Sequence, residues 1–217
     1  MKIHLVVFLI AITSTFQASV SAAGDPAKGK QIYASCSACH GLNGEGLQAT
    51  NSPRLSGLHD WYLISQLEKY RSGLRGANSK DTYGLQMAGF AKALDNDQAI
   101  LDVVSYICTL TAAHPKRTEN SGDPIRGKFL YMDEIRCSQC HGSTGQGLKQ
   151  PYGEGSGSPR LSGQHDWYLI RQLQLFKTGI RGDPKDKFAM EMRVWTKLHV
   201  KSDQDINDLA AFLSEIE

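Results

Sequence analysis

Apolar positions along this chain form one isolated block, followed by a set of helical patterns that occurs twice. The block runs from Ile3 to Ile12 and is broken only by His4. Beyond it, a helix is expected to begin at Asp25-Pro26, with Asp as N-cap and Pro at the first helical position, and to run into Cys36. Leu63, Leu67 and Tyr70 repeat at helical spacing and predict a second helix over about His59 to Arg71, stopped by Gly73. A third starts near Asp95-Asn96-Asp97, with Ile100, Val103, Val104 and Ile107 on one face, and its partner runs from Ser202 to Ile216. No alternating stretch is long enough for a sheet. The expected fold class is all-α, with three helices in each half.

The halves are copies. Ser52 to Gly76 and Ser158 to Gly182 agree at 17 of 25 positions with a constant offset of 106. Upstream, Gly24-Asp25-Pro26 with Gly29-Lys30 recurs as Gly122-Asp123-Pro124 with Gly127-Lys128. Ordered agreement of this kind marks a duplicated domain. The polar Pro- and Gly-containing stretch around His114 to Gly122 reads as the join. The expected division is a leader over residues 1–22, a first domain over 23–115, a linker over 116–122 and a second domain over 123–217. The glycine-rich loop of the first half, Gly41 to Gly57, is five residues longer in the second, through Gln150 to Gly155.

The leader follows from the opening block. A basic start, about ten apolar residues and small residues at Val20-Ser21-Ala22 have the layout of a secretory signal cut after Ala22, with Ala23 the next candidate. The block is half the roughly 20 residues a membrane-spanning helix needs. Export to the periplasm is therefore expected, with at most peripheral membrane association. Removing the leader leaves 23 basic residues against 22 acidic ones. That balance argues against a nucleic-acid partner, which calls for a basic domain.

Five cysteines in an exported chain would ordinarily suggest disulfides, but four of them sit in Cys36-Ser37-Ala38-Cys39-His40 and Cys137-Ser138-Gln139-Cys140-His141. Two thiols three positions apart on a helical turn can meet the two vinyl groups along one haem edge, and the next residue aims an imidazole at the iron. A thioredoxin-like pair would want a βαβ setting, and zinc would want different spacing. Two covalently bound haems c are expected, with His40 and His141 as iron ligands.

Each iron needs a sixth ligand or an open face. Aligning Lys80 to Met87 with Lys185 to Met192 pairs Met87 with Met192, 47 and 51 residues after their histidines. These two are the candidate distal ligands; Met190 falls opposite Leu85 and reads as packing. His59 and His165, equivalent in the repeat, read as packing or hydrogen-bonding residues. Cys108 faces Ser214 in the alignment and reads as a small buried helix residue, an intermolecular disulfide being the alternative.

Two Cys-X-X-Cys-His domains in tandem, each followed by Pro-Arg-Leu-X-Gly, a Tyr-Leu-X-X-Gln-Leu helix with a Gly-X-Arg end and then a Met, resemble the cytochrome c4 family over essentially the whole mature chain. The resemblance implies two tandem cytochrome c-like domains, each wrapped around one haem. It makes Cys36, Cys39, Cys137 and Cys140 the thioether residues and His40, His141, Met87 and Met192 the axial ligands. Pro53 and Pro159 would hold the proximal histidines through their carbonyls. Arg54, Arg160, Arg75 and Arg181 would pair with propionates or stand as solvated loop charges. The implied function is a periplasmic carrier without a substrate site of its own, passing electrons from a quinol-oxidising complex to a haem–copper terminal oxidase. The alternative is the electron-accepting subunit of a dehydrogenase complex, such as a flavin-dependent sulfide dehydrogenase. A diheme peroxidase would need one haem without its Met. Met192-Arg193-Val194-Trp195 is bulkier than Met87-Ala88-Gly89-Phe90, so the second haem is expected to see different packing and a different potential.

Overall fold

The computed structural model describes residues 24–118, 122–149 and 157–216. The expected leader and the inserted loop residues 150–155 lie outside the described residues, as do three positions of the linker. Both halves are helical, and among the described residues the only strands are β1 (Leu148–Lys149) and β2 (Gly157–Ser158), a short antiparallel pair.

In the first half α1 (Pro26–His40) begins on Asp25, whose carboxylate accepts from the Ala27 and Lys28 amides. It crosses α4 (Asp97–Ile107), and the crossing is close because residue 29 is glycine: a Cβ there would lie 1.9 Å from the Asp102 carbonyl oxygen. Between them lie α2 (Asp60–Ser72), ended by left-handed Gly73, and α3 (Thr82–Lys92). The core gathers Tyr33, Leu63, Ile100, Val103, Val104 and Ile107. These include all four residues the sequence placed on one face of the third helix; burying such a stripe is what stabilises α4. α3 is an addition to the three expected helices, and it carries Met87.

The second half repeats this plan with one departure. α7 (Asp166–Lys177), α8 (Lys187–His199) and α9 (Asp203–Glu215) match α2, α3 and α4. The first helix was expected to run unbroken into the haem motif, and here it does not. α5 (Pro124–Phe129) gives way to a π-helical turn over Leu130–Glu134, Arg136 takes φ +60, and α6 (Ser138–His141) restarts at the motif. The cause lies in the chain length: Gly24 precedes Cys36 by 12 residues, whereas Gly122 precedes Cys137 by 15. The three extra residues are taken up as a bulge, so that Tyr131 keeps the place of Tyr33. Tyr33 donates to the Gly41 carbonyl and Tyr131 to that of Gly142, each at 2.7 Å.

The halves meet across a pseudo-symmetric junction built from α2, α7 and the starts of the Met-bearing helices. Asp81 caps α3 and pairs with Arg171 of α7 at 2.5 Å, while Asp186 caps α8 and pairs with Lys69 of α2 at 2.8 Å. The Gln164 side-chain amide exchanges two hydrogen bonds of 2.9 Å with the Arg54 backbone, and His165 Nε2 lies 2.8 Å from the Glu45 carbonyl. No helix among the described residues is long and apolar enough to cross a membrane.

Candidate functional site

A cavity of about 1120 Å³ runs between the helices of both halves. Cys36, Cys39, His40 and Met87 border it in the first half, and Cys137, Cys140, His141 and Met192 in the second. The fold thus brings together, around one space, both sets of residues that the sequence singled out.

The histidines are held in a defined state. His40 Nδ1 lies 2.9 Å from the Pro53 carbonyl oxygen and His141 Nδ1 lies 2.8 Å from that of Pro159. A carbonyl only accepts, so Nδ1 carries the proton and Nε2 keeps a lone pair for a metal. Burial holds both imidazoles below the ordinary histidine value, opposed by the proline carbonyls. Both rings are therefore neutral at pH 7. The loop that delivers Pro53 passes close over the end of α1, where the Gly46 amide donates to the His40 carbonyl at 2.8 Å. Gly46 has φ +81, and a Cβ on it would lie 2.5 Å from the Arg54 nitrogen, so this loop closes only with glycine. Burial also raises the Cys36 thiol, and it pushes Cys137 up to about 12.

Met87 and Met192 occupy equivalent turns of α3 and α8 and border the same cavity. Met190, read as packing, also borders the cavity, whereas its counterpart Leu85 is exposed.

Haem c fits this space on the chemistry of its walls. Trp61 Nε1, Arg75 Nε and Arg181 Nε are buried donors without a hydrogen-bond partner, and all three side chains border the cavity. Arg75 is buried, stacks on the Tyr70 ring at 4.5 Å, and bonds Gln66 Oε1, Tyr168 Oη and Gln172 Oε1 at 2.7 to 3.2 Å. Arg181 mirrors it over Phe176, reaching Gln172 at 2.6 Å and Gln66 at 3.4 Å. Every acceptor in this network is an amide or a phenol, with no carboxylate among them. Burial alone would raise the Tyr62 phenol, yet Arg181 and Arg75 bring it below its usual value. Two cations without a carboxylate are costly to bury; the propionates of a bound haem would supply anions there.

Arg54 departs from the expected role. Its Nε holds the Ser56 carbonyl and hydroxyl at 3.0 Å, and its outer nitrogens reach the carbonyls of Ala112, Ala113 and Gly163. Those carbonyls belong to irregular backbone, and the guanidinium satisfies them rather than facing the cavity. Arg160 makes the same bonds to Ser162 through Nε, at 3.1 and 3.2 Å, while its side chain still borders the cavity. His165 bonds the other half, as a hydrogen-bonding role anticipates, and His59 stacks on Trp61. Cys108 corrects an expectation: it is exposed, because α4 ends at Ile107, whereas α9 runs on to Glu215 and keeps Ser214 buried. Trp61, Tyr62 and Gln66 were missed as site residues. Their signal lay in the repeat, since Trp167, Tyr168 and Gln172 stand at the same offset.

Comparison with known proteins agrees with this geometry. The cytochrome c family model matches twice, over residues 26–111 and 125–217. Cytochrome c4 of Azotobacter vinelandii is 32% identical over 198 residues, spanning 88% of this chain and 89% of that protein. A thiosulfate dehydrogenase electron acceptor of Stutzerimonas stutzeri is 25% identical over 201 residues, spanning 88% and 87%. The crystal structure of reduced recombinant cytochrome c4 from Pseudomonas stutzeri superimposes with a TM-score of 0.67 at 29% identity, covering 90% of this chain and all of that one. The chain belongs to the cytochrome c4 family: it is a diheme cytochrome c with two covalently bound haems, and it transfers electrons.

Proposed function

We propose that this protein is an exported, periplasmic electron carrier that takes electrons from a quinol-oxidising complex and passes them to a haem–copper terminal oxidase. The observation that carries the reading is the twofold occurrence, around one cavity, of a buried, carbonyl-anchored histidine and a methionine. Haem c supplies a one-electron iron couple at each site. In this reading Cys36, Cys39, Cys137 and Cys140 would hold it covalently, and His40 with Met87 and His141 with Met192 would ligate the two irons. An iron so enclosed has no place for a substrate, which supports a carrier without catalysis of its own. Pro53 and Pro159 orient the proximal imidazoles; Arg75, Arg181 and Trp61 offer donors to the propionates, with Arg160 at the margin. The leader over 1–22, the domains over 23–115 and 123–217 and the linker over 116–122 complete the organisation.

The test is the rate at which native membranes oxidise the reduced two-haem protein, with and without an oxidase inhibitor. Fast, inhibitor-sensitive oxidation supports the role. Slow oxidation overturns it and favours a second reading, the electron acceptor of a dehydrogenase, for which the likeness to a thiosulfate dehydrogenase electron acceptor speaks. Copurification with a catalytic chain would mark that second role.

A further inference from the structure

The bulge before the second haem motif frees a backbone group that the first half keeps in its helix. With Arg136 at φ +60, the chain cannot continue the helical ladder through Ile135. The Gln139 amide bonds the Arg136 carbonyl instead, at 3.1 Å, and leaves the carbonyl of Ile135 without a helical donor. Ile135 is buried, so an unpaired carbonyl there is costly. The donor comes from another helix: Trp195 Nε1, whose side chain borders the cavity, reaches the Ile135 oxygen at 3.1 Å. Trp195 is on α8, one turn beyond Met192, and its ring packs on His199 with centroids 4.2 Å apart. In the first half Phe90 holds the equivalent place and has no N–H, and the position matching Ile135 is Ala34, inside the unbroken α1.

We propose that Trp195 is a positioning residue for the second haem alone, tying the helix that bears Met192 to the segment that bears Cys137 and so fixing the Met192–iron bond. The inference rests on Met192 being the distal ligand. The tie links the helix of Met192 to the segment that leads into the Cys137 motif, two elements that are far apart along the chain. A bulge and its tryptophan thus act together: the three-residue insertion creates the acceptor, and the bulkier side chain supplies the donor.

The experiment compares the wild type with Trp195→Phe, which keeps the ring and removes only the N–H. Imidazole is titrated into the oxidised two-haem protein, and displacement of methionine is followed through the methionine–iron charge-transfer absorption. The shifted methionine methyl resonances of the reduced protein report each haem separately. Trp195→Phe is expected to lose Met192 at an imidazole concentration about tenfold lower at the second haem, with the first haem unchanged. An unchanged second haem, or equal weakening of both, overturns the proposal. Should the wild type show only one shifted methionine methyl, the ligand assignment itself fails and the proposal with it. Exchange of the Trp195 indole proton in the wild type gives an arm independent of the variant's folding: slow exchange is expected, and exchange as fast as a free indole overturns the tie.

Discussion

Arg75 of the first half donates to Tyr168 of the second at 3.0 Å, and Arg181 returns the arrangement toward Tyr62 and Gln66. Each guanidinium lies over an aromatic ring of its own half and reaches into the other. The junction between the halves is therefore also the wall that carries positive charge toward both sites.

That relationship sets the outcome of removing one cation. Arg75→Met keeps the stem packed on Tyr70 but leaves Tyr168 without its donor and Gln66 and Gln172 with Arg181 alone. It is expected to destabilise the holoprotein by about 2–3 kcal/mol in urea denaturation. A nearby cation favours the more negative, reduced state, so the midpoint potentials should fall in a spectroelectrochemical titration. Unaltered potentials would show that Arg75 faces no part of either redox centre.

Two glycines should respond differently to the same substitution. A Cβ at Gly29 would sit 1.9 Å from the Asp102 carbonyl, while a Cβ at Gly57 would meet nothing within 4 Å. Gly29→Ala must force α1 off α4 and should cost at least ~3 kcal/mol. Gly57→Ala meets only the strain of φ +80 and should cost about 1 kcal/mol. Thermal unfolding of the two variants measures the contrast.

Acid should loosen the second half through Asp205 and Asp208. Burial opposes the charge on Asp208, but the Asp123 amide, Arg126 and Gln204 outweigh it and hold its carboxyl below the usual range. Asp205 is likewise lowered against burial, by Arg126 and the Ser202 amide. A carboxylate with a lowered folded value contributes stability that is complete above its unfolded value, about pH 4, and is lost as pH falls through the folded one. Melting temperature should be level down to about pH 5 and drop below pH 4. Asp208→Asn should cost ~2 kcal/mol at neutral pH and flatten the acid limb.

Cys108 should be the one thiol open to reagents in the native holoprotein, since thioether bonds consume the other four. Partial desolvation by neighbouring atoms, then Asp60, raises its thiol above the ordinary value although the residue is exposed. Alkylation by iodoacetamide should therefore be slow at pH 7 and accelerate with pH beyond the range of a free cysteine, giving one modification per chain by mass. Cys108→Ser should abolish the modification and leave the visible spectrum unchanged.

Much of this was legible along the chain because it depends on local spacing. Two thiols and a histidine on one helical turn, a methionine at matching places in two copies, and Asp-Pro helix starts are fixed by covalent neighbours. The apolar face of Ile100, Val103, Val104 and Ile107 announced the core of the first half before any packing was seen. Other features depend on chain segments far apart. Arg54 and Arg75 look alike in the repeat, yet one binds the backbone near the linker and the other lines the cavity, since each guanidinium goes where unpaired acceptors lie in space. The exposure of Cys108 was decided by where α4 ends. The broken first helix of the second half was implicit in three extra residues, but only the folded chain shows that Tyr131 holds its place while Arg136 absorbs the excess. Sequence by itself determined the cofactor-binding chemistry and its duplication, because those follow from residue identity and short-range geometry. Tertiary structure decided how the copies face each other and how their two sites differ, because buried charges and freed carbonyls must find partners wherever the fold brings them.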